Sequence, residues 1–173
     1  LARRELVDFS LPTFLDGAGV MSRDAKPVER FEDLQGKRVG VLAGTTTERV
    51  LRSGLADLQI KAEIITVRDH REGIALLTGD RIDAYFGDRA ILAAFLVQEP
   101  LPGFRVAKQY FSTETYALAL PRNDSPFRLL VDRTLAQLYR SGKVRALLTK
   151  TFGRMKQDEL LDALFLIHGL PEK

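Results

Sequence analysis

The richest cluster of hydrogen-bonding groups in the sequence is Gly44-Thr45-Thr46-Thr47-Glu48, directly after the apolar stretch Arg38 to Leu42. A glycine and three threonines opening a helix bring together backbone N–H groups, hydroxyls and the positive end of a helix dipole, a combination that suits an anion such as a carboxylate. Thr45 and Glu48 also have the spacing of a capping box, so the run equally suits a well-capped helix. It lacks the second glycine and the Gly-Lys-Thr ending of a nucleotide-phosphate loop. A second candidate is Asp88, which ends Ile82-Asp83-Ala84-Tyr85-Phe86-Gly87-Asp88. A carboxylate just past a buried strand stands where open α/β sheets place ligand contacts, and it suits an ammonium group. It suits the N-cap of a helix starting near Arg89 as well. Arg3 offers a planar fork that grips carboxylates, although a terminal arginine is ordinarily surface. His70, after Asp69 at a strand end, reads locally as an exposed loop histidine.

Other chemistries are absent. There is no cysteine, and His70 and His168 are the two histidines, which excludes disulfides and thiolate sites and argues against a histidine metal cluster. No Gly-x-Ser-x-Gly occurs, and none of Ser10, Ser22, Ser53, Ser112, Ser125 or Ser141 carries a local nucleophile signature. No cofactor is implied, and no catalytic signature is written in these residues, which leaves an enzyme open on local grounds. With 45% hydrophobic and 28% charged residues in 173, the composition is that of a globular protein. The longest apolar run, Ala90 to Val97, is too short to span a bilayer. The net charge of +3, from 26 basic and 23 acidic residues, is dispersed and not interleaved with aromatics, so nucleic acid is not an expected partner. Leu1 is not a start methionine, and the first residues do not read as a signal peptide.

These candidates need elements to hold them. Glu5 to Ser10 reads as a strand end that turns at Pro12, followed by a flexible Asp16-Gly17-Ala18-Gly19 and a brief extended Val20-Met21. Phe31 to Gly36 is a short helical turn. Strands are expected at 38–42, 61–67, 81–86, 106–109 and 115–120, and helices after Gly44 and at 71–79, 89–98, 126–142, 144–152 and 158–167. Strands and helices alternate from 38 to 98, which predicts an α/β layer with a largely parallel sheet.

In this order the motifs resemble the extracytoplasmic amino-acid solute-binding proteins of ABC importers, bacterial family 3, with the periplasmic binding protein type II fold. The resembling segments are Arg3-x-x-x-Val7-Asp8-Phe9-Ser10, Leu34-x-Gly36-Lys37-x-Val39-Gly40-Val41 and Gly44-Thr45-Thr46. They continue with Gly79-x-x-x-Asp83-Ala84-x-x-x-Asp88, Ser112-x-Glu114-x-Tyr116 and Leu138-x-x-Ser141-Gly142-Lys143. The resemblance implies two lobes joined by two crossover strands around a ligand cleft. It gives Arg3 the ligand α-carboxylate, with help from Thr46 and the N–H groups at Gly44 and Thr45, and gives Asp88 the α-ammonium. Ile64-Ile65-x-x-x-Asp69-His70, with Asp158-Glu159-Leu160 and Ala163-Leu164-Phe165, resembles the glutamate/aspartate-binding branch, where the matching histidine contacts the ligand side-chain carboxylate. Gly87 stands where the family often has a bulkier residue, which predicts a wider pocket.

The implied function is binding of a polar, acidic amino acid in the periplasm for delivery to an ABC permease, peripheral to the membrane. The alternatives are the ligand-sensing domain of a receptor kinase, an enzyme similar to the cyclohexadienyl dehydratases, or a structural fragment without ligand. Residues 1–20 and 114–173 are expected to form a partial lobe 1, and 21–113 a complete lobe 2. Because the family's long first segment ends at the arginine motif, an oligomer or a partner is expected to cover lobe 1.

Overall fold

A computed structural model of the chain describes residues 2–152 and 159–169, so Asp158, expected to open the last helix, lies outside the described residues. The chain divides into two compact units, Asp16–Thr113 and the pair of segments Leu1–Leu15 and Glu114–Lys173. The expected division placed the first boundary after residue 20. Ala18–Arg23 is a strand hydrogen-bonded on both edges within the Asp16–Thr113 unit, and this draws residues 16–20 into it.

The Asp16–Thr113 unit is built on a five-stranded sheet. Its strands are β2 (Ala18–Arg23), β3 (Arg38–Leu42), β4 (Glu63–Val67), β5 (Ala84–Asp88) and β6 (Phe104–Val106), in the order β4-β3-β5-β2-β6. β3 runs parallel to β4 and β5, while β2 is antiparallel to both β5 and β6. The sheet is therefore mixed, where alternation alone predicted a largely parallel one. The sequence around Gly17 and Gly19 looked flexible because glycine is a poor strand former. Here Gly19 sits opposite Gly87, and Arg89 packs so closely that a Cβ on Gly19 would lie 2.8 Å from the Arg89 Cβ.

Three helices follow the parallel strands: α1 (Thr46–Asp57), α2 (His70–Thr78) and α3 (Arg89–Gln98). Alternating residues divide the core between the two faces. Val39, Val41, Phe86 and Val20 pack with Leu51 and Leu55 of α1. Met21, Val67 and Tyr85 pack with Ile74 and Leu77 of α2 and Leu92 of α3. Helices on both faces of a sheet whose chain order reverses at β3 and β5 create a switch point at the carboxyl edge, between the ends of those two strands.

The other unit contains a 3₁₀ turn at Ala2–Glu5 and a two-stranded sheet of β1 (Asp8–Asp16), whose last residue falls in the first unit, and β7 (Glu114–Leu120). Its helices are α4 (Ser125–Arg140), α5 (Lys143–Phe152) and α6 (Glu159–His168). β1 runs straight through Pro12, where a turn was expected. The Pro12 carbonyl accepts from the Tyr139 hydroxyl at 2.7 Å, and the Leu11 N–H donates to Asp132 at 2.8 Å. α4 thus supplies side-chain partners to the strand, which a proline without an N–H can still join at an edge. Tyr139 stacks on Phe165 of α6 at 4.9 Å, tying the helices together. Leu118, Leu130 and Leu166 are exposed in this unit.

Candidate functional site

The carboxyl edge of the sheet gathers three helix N-termini, and each is capped differently. At α1 the Thr45 hydroxyl accepts from the Glu48 N–H at 3.1 Å and donates to the Leu42 carbonyl at 2.8 Å, so it closes the strand-to-helix turn. Gly44 takes a positive φ of 74°, a conformation that favours glycine and makes this turn possible. The sequence suggested free N–H groups here, but the Gly44 N–H donates to Glu48 Oε2 at 2.8 Å. A carboxylate within the first turn is drawn to the positive helix end. The Gly44 N–H, then the Arg52 guanidinium, hold the Glu48 carboxyl below the usual range. At this helix start the chain thus already binds one carboxylate of its own.

At α3 the expected cap does not form. Asp88 occupies the N-cap position with no side-chain cap bond. The α3 N-terminus is instead capped from a distance by Asp16, whose two carboxylate oxygens accept from the Ala90 N–H at 3.2 Å, while the Gly17 carbonyl accepts from the Arg89 N–H at 2.9 Å. Asp16 is 4% exposed, and burial pushes its carboxyl up to about 6; the N–H groups of Gly17 and Ala90 oppose this, and the Asp88 charge adds to it. Released from capping, Asp88 Oδ1 accepts from the Thr47 hydroxyl at 2.7 Å. This bond ties the first turn of α1, which follows β3, to the end of β5, across the switch point. Among the described residues no cation pairs with Asp88, which leaves a half-exposed carboxylate at the edge of the sheet.

At α2 Asp69 is the N-cap and accepts from the Glu72 N–H at 2.8 Å. His70 is therefore the first helical residue, half-buried, and not an exposed loop residue. Its Nδ1 lies 3.0 Å from the Tyr85 hydroxyl, and its ring meets Tyr85 and Phe95 edge-on or tilted.

Gly44, Thr45, Thr46, His70 and Asp88 thus lie along one sheet edge of one unit. Arg3 belongs to the other unit, exposed in the 3₁₀ turn, where its carbonyl accepts from the Leu6 and Val7 N–H groups at 3.1 Å each. Gly87 does not open space. A Cβ there would meet Leu92 at 3.3 Å, so the bulk of α3 already fills that side. The sequence reading missed Thr47, Asp16 and Tyr85. Thr47 was within the threonine run, but nothing local marked which hydroxyl turns inward. Asp16 and Tyr85 act on residues distant in sequence.

A mixed sheet with helices on both faces and its polar groups at the switch-point edge has the periplasmic binding protein type II fold, shared with solved amino-acid binders. Residues 16–99 match the family model described as NMT1/THI5 like. The L-glutamate/L-aspartate-binding protein of Pseudomonas aeruginosa is 32% identical over 151 residues, 87% of this chain and 50% of the relative. The glutamate/aspartate import solute-binding protein of Salmonella typhimurium is 30% identical over 88% of this chain and 51% of its own length. An L-cystine-binding protein of Escherichia coli is 29% identical, covering 87% of this chain and 56% of its own. Among solved structures, an ancestral arginine-binding protein bound to arginine matches with a TM-score of 0.71 at 27% identity, over 88% of this chain and 67% of that one. The chain is similar to amino-acid solute-binding proteins over most of its own length, and it spans about half the length of the curated relatives it matches.

Proposed function

We propose that this chain is the amino-acid-binding part of an extracytoplasmic solute-binding protein that takes a polar, acidic L-amino acid for delivery to an ABC permease, without catalysing a reaction. The observation that carries this reading is the Asp88 carboxylate. It is released from capping by Asp16, oriented by Thr47 and without a cationic partner among the described residues. A carboxylate so placed is suited to an α-ammonium, a charged hydrogen bond stronger than a neutral one. The resemblance gives the α-carboxylate to the helix start at Gly44–Thr46, where the ligand would compete with Glu48 for the Gly44 N–H. Arg3 keeps the carboxylate-binding part that the resemblance gives it, and His70 reads the ligand side chain. Relatives that bind glutamate or aspartate support the acidic preference, and their shared fold supports a periplasmic binding role. Among the described residues no helix is long and apolar enough to cross a membrane.

The test is calorimetric titration of the full chain with L-glutamate, L-aspartate, L-glutamine, L-cystine and L-arginine. Tightest binding of L-glutamate or L-aspartate is expected. Tighter binding of L-arginine or L-cystine would refute the acidic preference and leave the amino-acid class standing.

A further inference from the structure

Tyr85 is a fully buried residue of β5, the middle strand of the sheet, and two glycines make room for its ring. A Cβ on Gly73 of α2 would lie 2.2 Å from Tyr85 Cε2, and one on Gly40, its partner across β3, 3.1 Å from Cδ2. The ring is thereby fixed, and its hydroxyl ends 3.0 Å from His70 Nδ1. Burial first, then the carboxylates of Asp69, Asp88 and Glu72, keep this phenol protonated well above its ordinary range. A buried O–H needs an acceptor. Among the described residues His70 Nδ1 is the partner of this hydroxyl, and no buried side-chain polar atom lacks one. The phenol therefore donates and Nδ1 accepts. An Nδ1 that accepts carries no hydrogen, so in the neutral imidazole the proton resides on Nε2.

We propose that Tyr85 is a positioning residue for His70, fixing the Nε2–H tautomer so that the site offers a hydrogen-bond donor to the ligand side chain. The selectivity part of this inference rests on the function proposed above; the tautomer part does not. A donor at Nε2 favours a side chain that ends in an acceptor, the carboxylate of glutamate or aspartate or the carbonyl of an amide. It disfavours a guanidinium or ammonium, which has only donors to offer. The discrimination comes from a core tyrosine on β5 rather than from a residue in the loops.

The chain contains its own reference. His168 Nδ1 lies 2.9 Å from the Leu164 carbonyl, which can only accept, so His168 must donate from Nδ1. The two histidines of the protein are expected in opposite tautomers. The experiment is long-range proton–nitrogen NMR of the full chain labelled at histidine, at about pH 8, assigned with His168→Gln. His70 is expected as the Nε2–H tautomer and His168 as Nδ1–H. In Tyr85→Phe the His70 nitrogens should move towards a mixture while His168 stays unchanged. L-glutamate binding should fall about two- to tenfold, the worth of one net hydrogen bond. L-glutamine, whose amide can donate or accept, should change less.

An Nδ1–H tautomer of His70 in the wild type, or His70 signals unmoved by Tyr85→Phe, would overturn the proposal. Should Tyr85→Phe fail to fold, the wild-type spectrum decides by itself. Equal losses of glutamate and glutamine affinity would overturn the selectivity part. If the chain binds no amino acid at all, the function proposed above fails, whereas the nitrogen spectra still decide the tautomer.

Discussion

Replacing Asp16 by asparagine should make the protein more stable at neutral pH. Asp16 is a carboxylate that α3 needs as an acceptor but that burial penalises as a charge. Its carboxyl is pushed from 3.8 to about 6 by burial, despite the N–H groups of Gly17 and Ala90. Between those two values the native protein holds a proton that the unfolded chain releases. Stability therefore falls as pH rises through this window, and the whole loss is present above about pH 6. At about 1.4 kcal/mol for each tenfold change in proton affinity, the penalty is on the order of 3 kcal/mol. An asparagine amide oxygen can still accept from the Ala90 N–H while carrying no charge. Urea unfolding of wild type and D16N, followed by circular dichroism from pH 3.5 to 8, should show D16N gaining up to about 3 kcal/mol at pH 7.5. That advantage should vanish below pH 4. Parallel stability curves, or a less stable D16N at pH 7.5, would refute the claim that Asp16 is held as a buried charge.

Three further predictions follow from specific contacts. Thr47→Val removes the 2.7 Å bond to Asp88 in a buried site of the same shape, and should weaken amino-acid binding about tenfold, with Thr47→Ser near wild type; equal affinities for both variants would count against the bridge. Gly73→Ala drives a Cβ to within 2.2 Å of Tyr85 and should cost about 1–2 kcal/mol by thermal unfolding, because overpacking outweighs the gain in helix propensity; an unchanged melting temperature would show that the ring is not confined. The Arg38 side chain, then its backbone N–H, hold the Asp83 carboxyl down at about 2, so the pair's small contribution is lost as pH falls from 3.8 towards 2. In Arg38→Ala the Asp83 titration, read by NMR, should move up towards 3.8, and an unmoved midpoint would contradict that cause.

Local pattern carried the alternation from Arg38 to Gln98 into the structure with small shifts of boundary, because each strand and helix there has its own apolar period and cap. Thr45 is the N-cap that its spacing with Glu48 announced, and Gly79 ends α2 as expected. The failures share a physical reason. β1 passes through Pro12 and β2 incorporates Gly19 because partners far along the chain, Tyr139 and Arg89, supply the packing that local propensity lacks. The cap of α3 comes from Asp16, 74 residues upstream of its acceptor's partner Ala90, so no local window containing Asp88 could show that Asp88 is free of that duty. The same holds for the Tyr85–His70 pair, brought together by the crossover of α2 between β4 and β5.

The central claim is that the Asp88 carboxylate is there to receive an amino-acid ammonium. Calorimetric titration of L-glutamate into the full chain and into Asp88→Ala tests it most directly. Saturable one-site binding to the wild type is expected, with a loss of about 30-fold or more in the variant, the cost of truncating one partner of a charge pair that the bound ligand would complete and bury. Binding of equal strength to both proteins, or no saturable heat with the wild type, would contradict it.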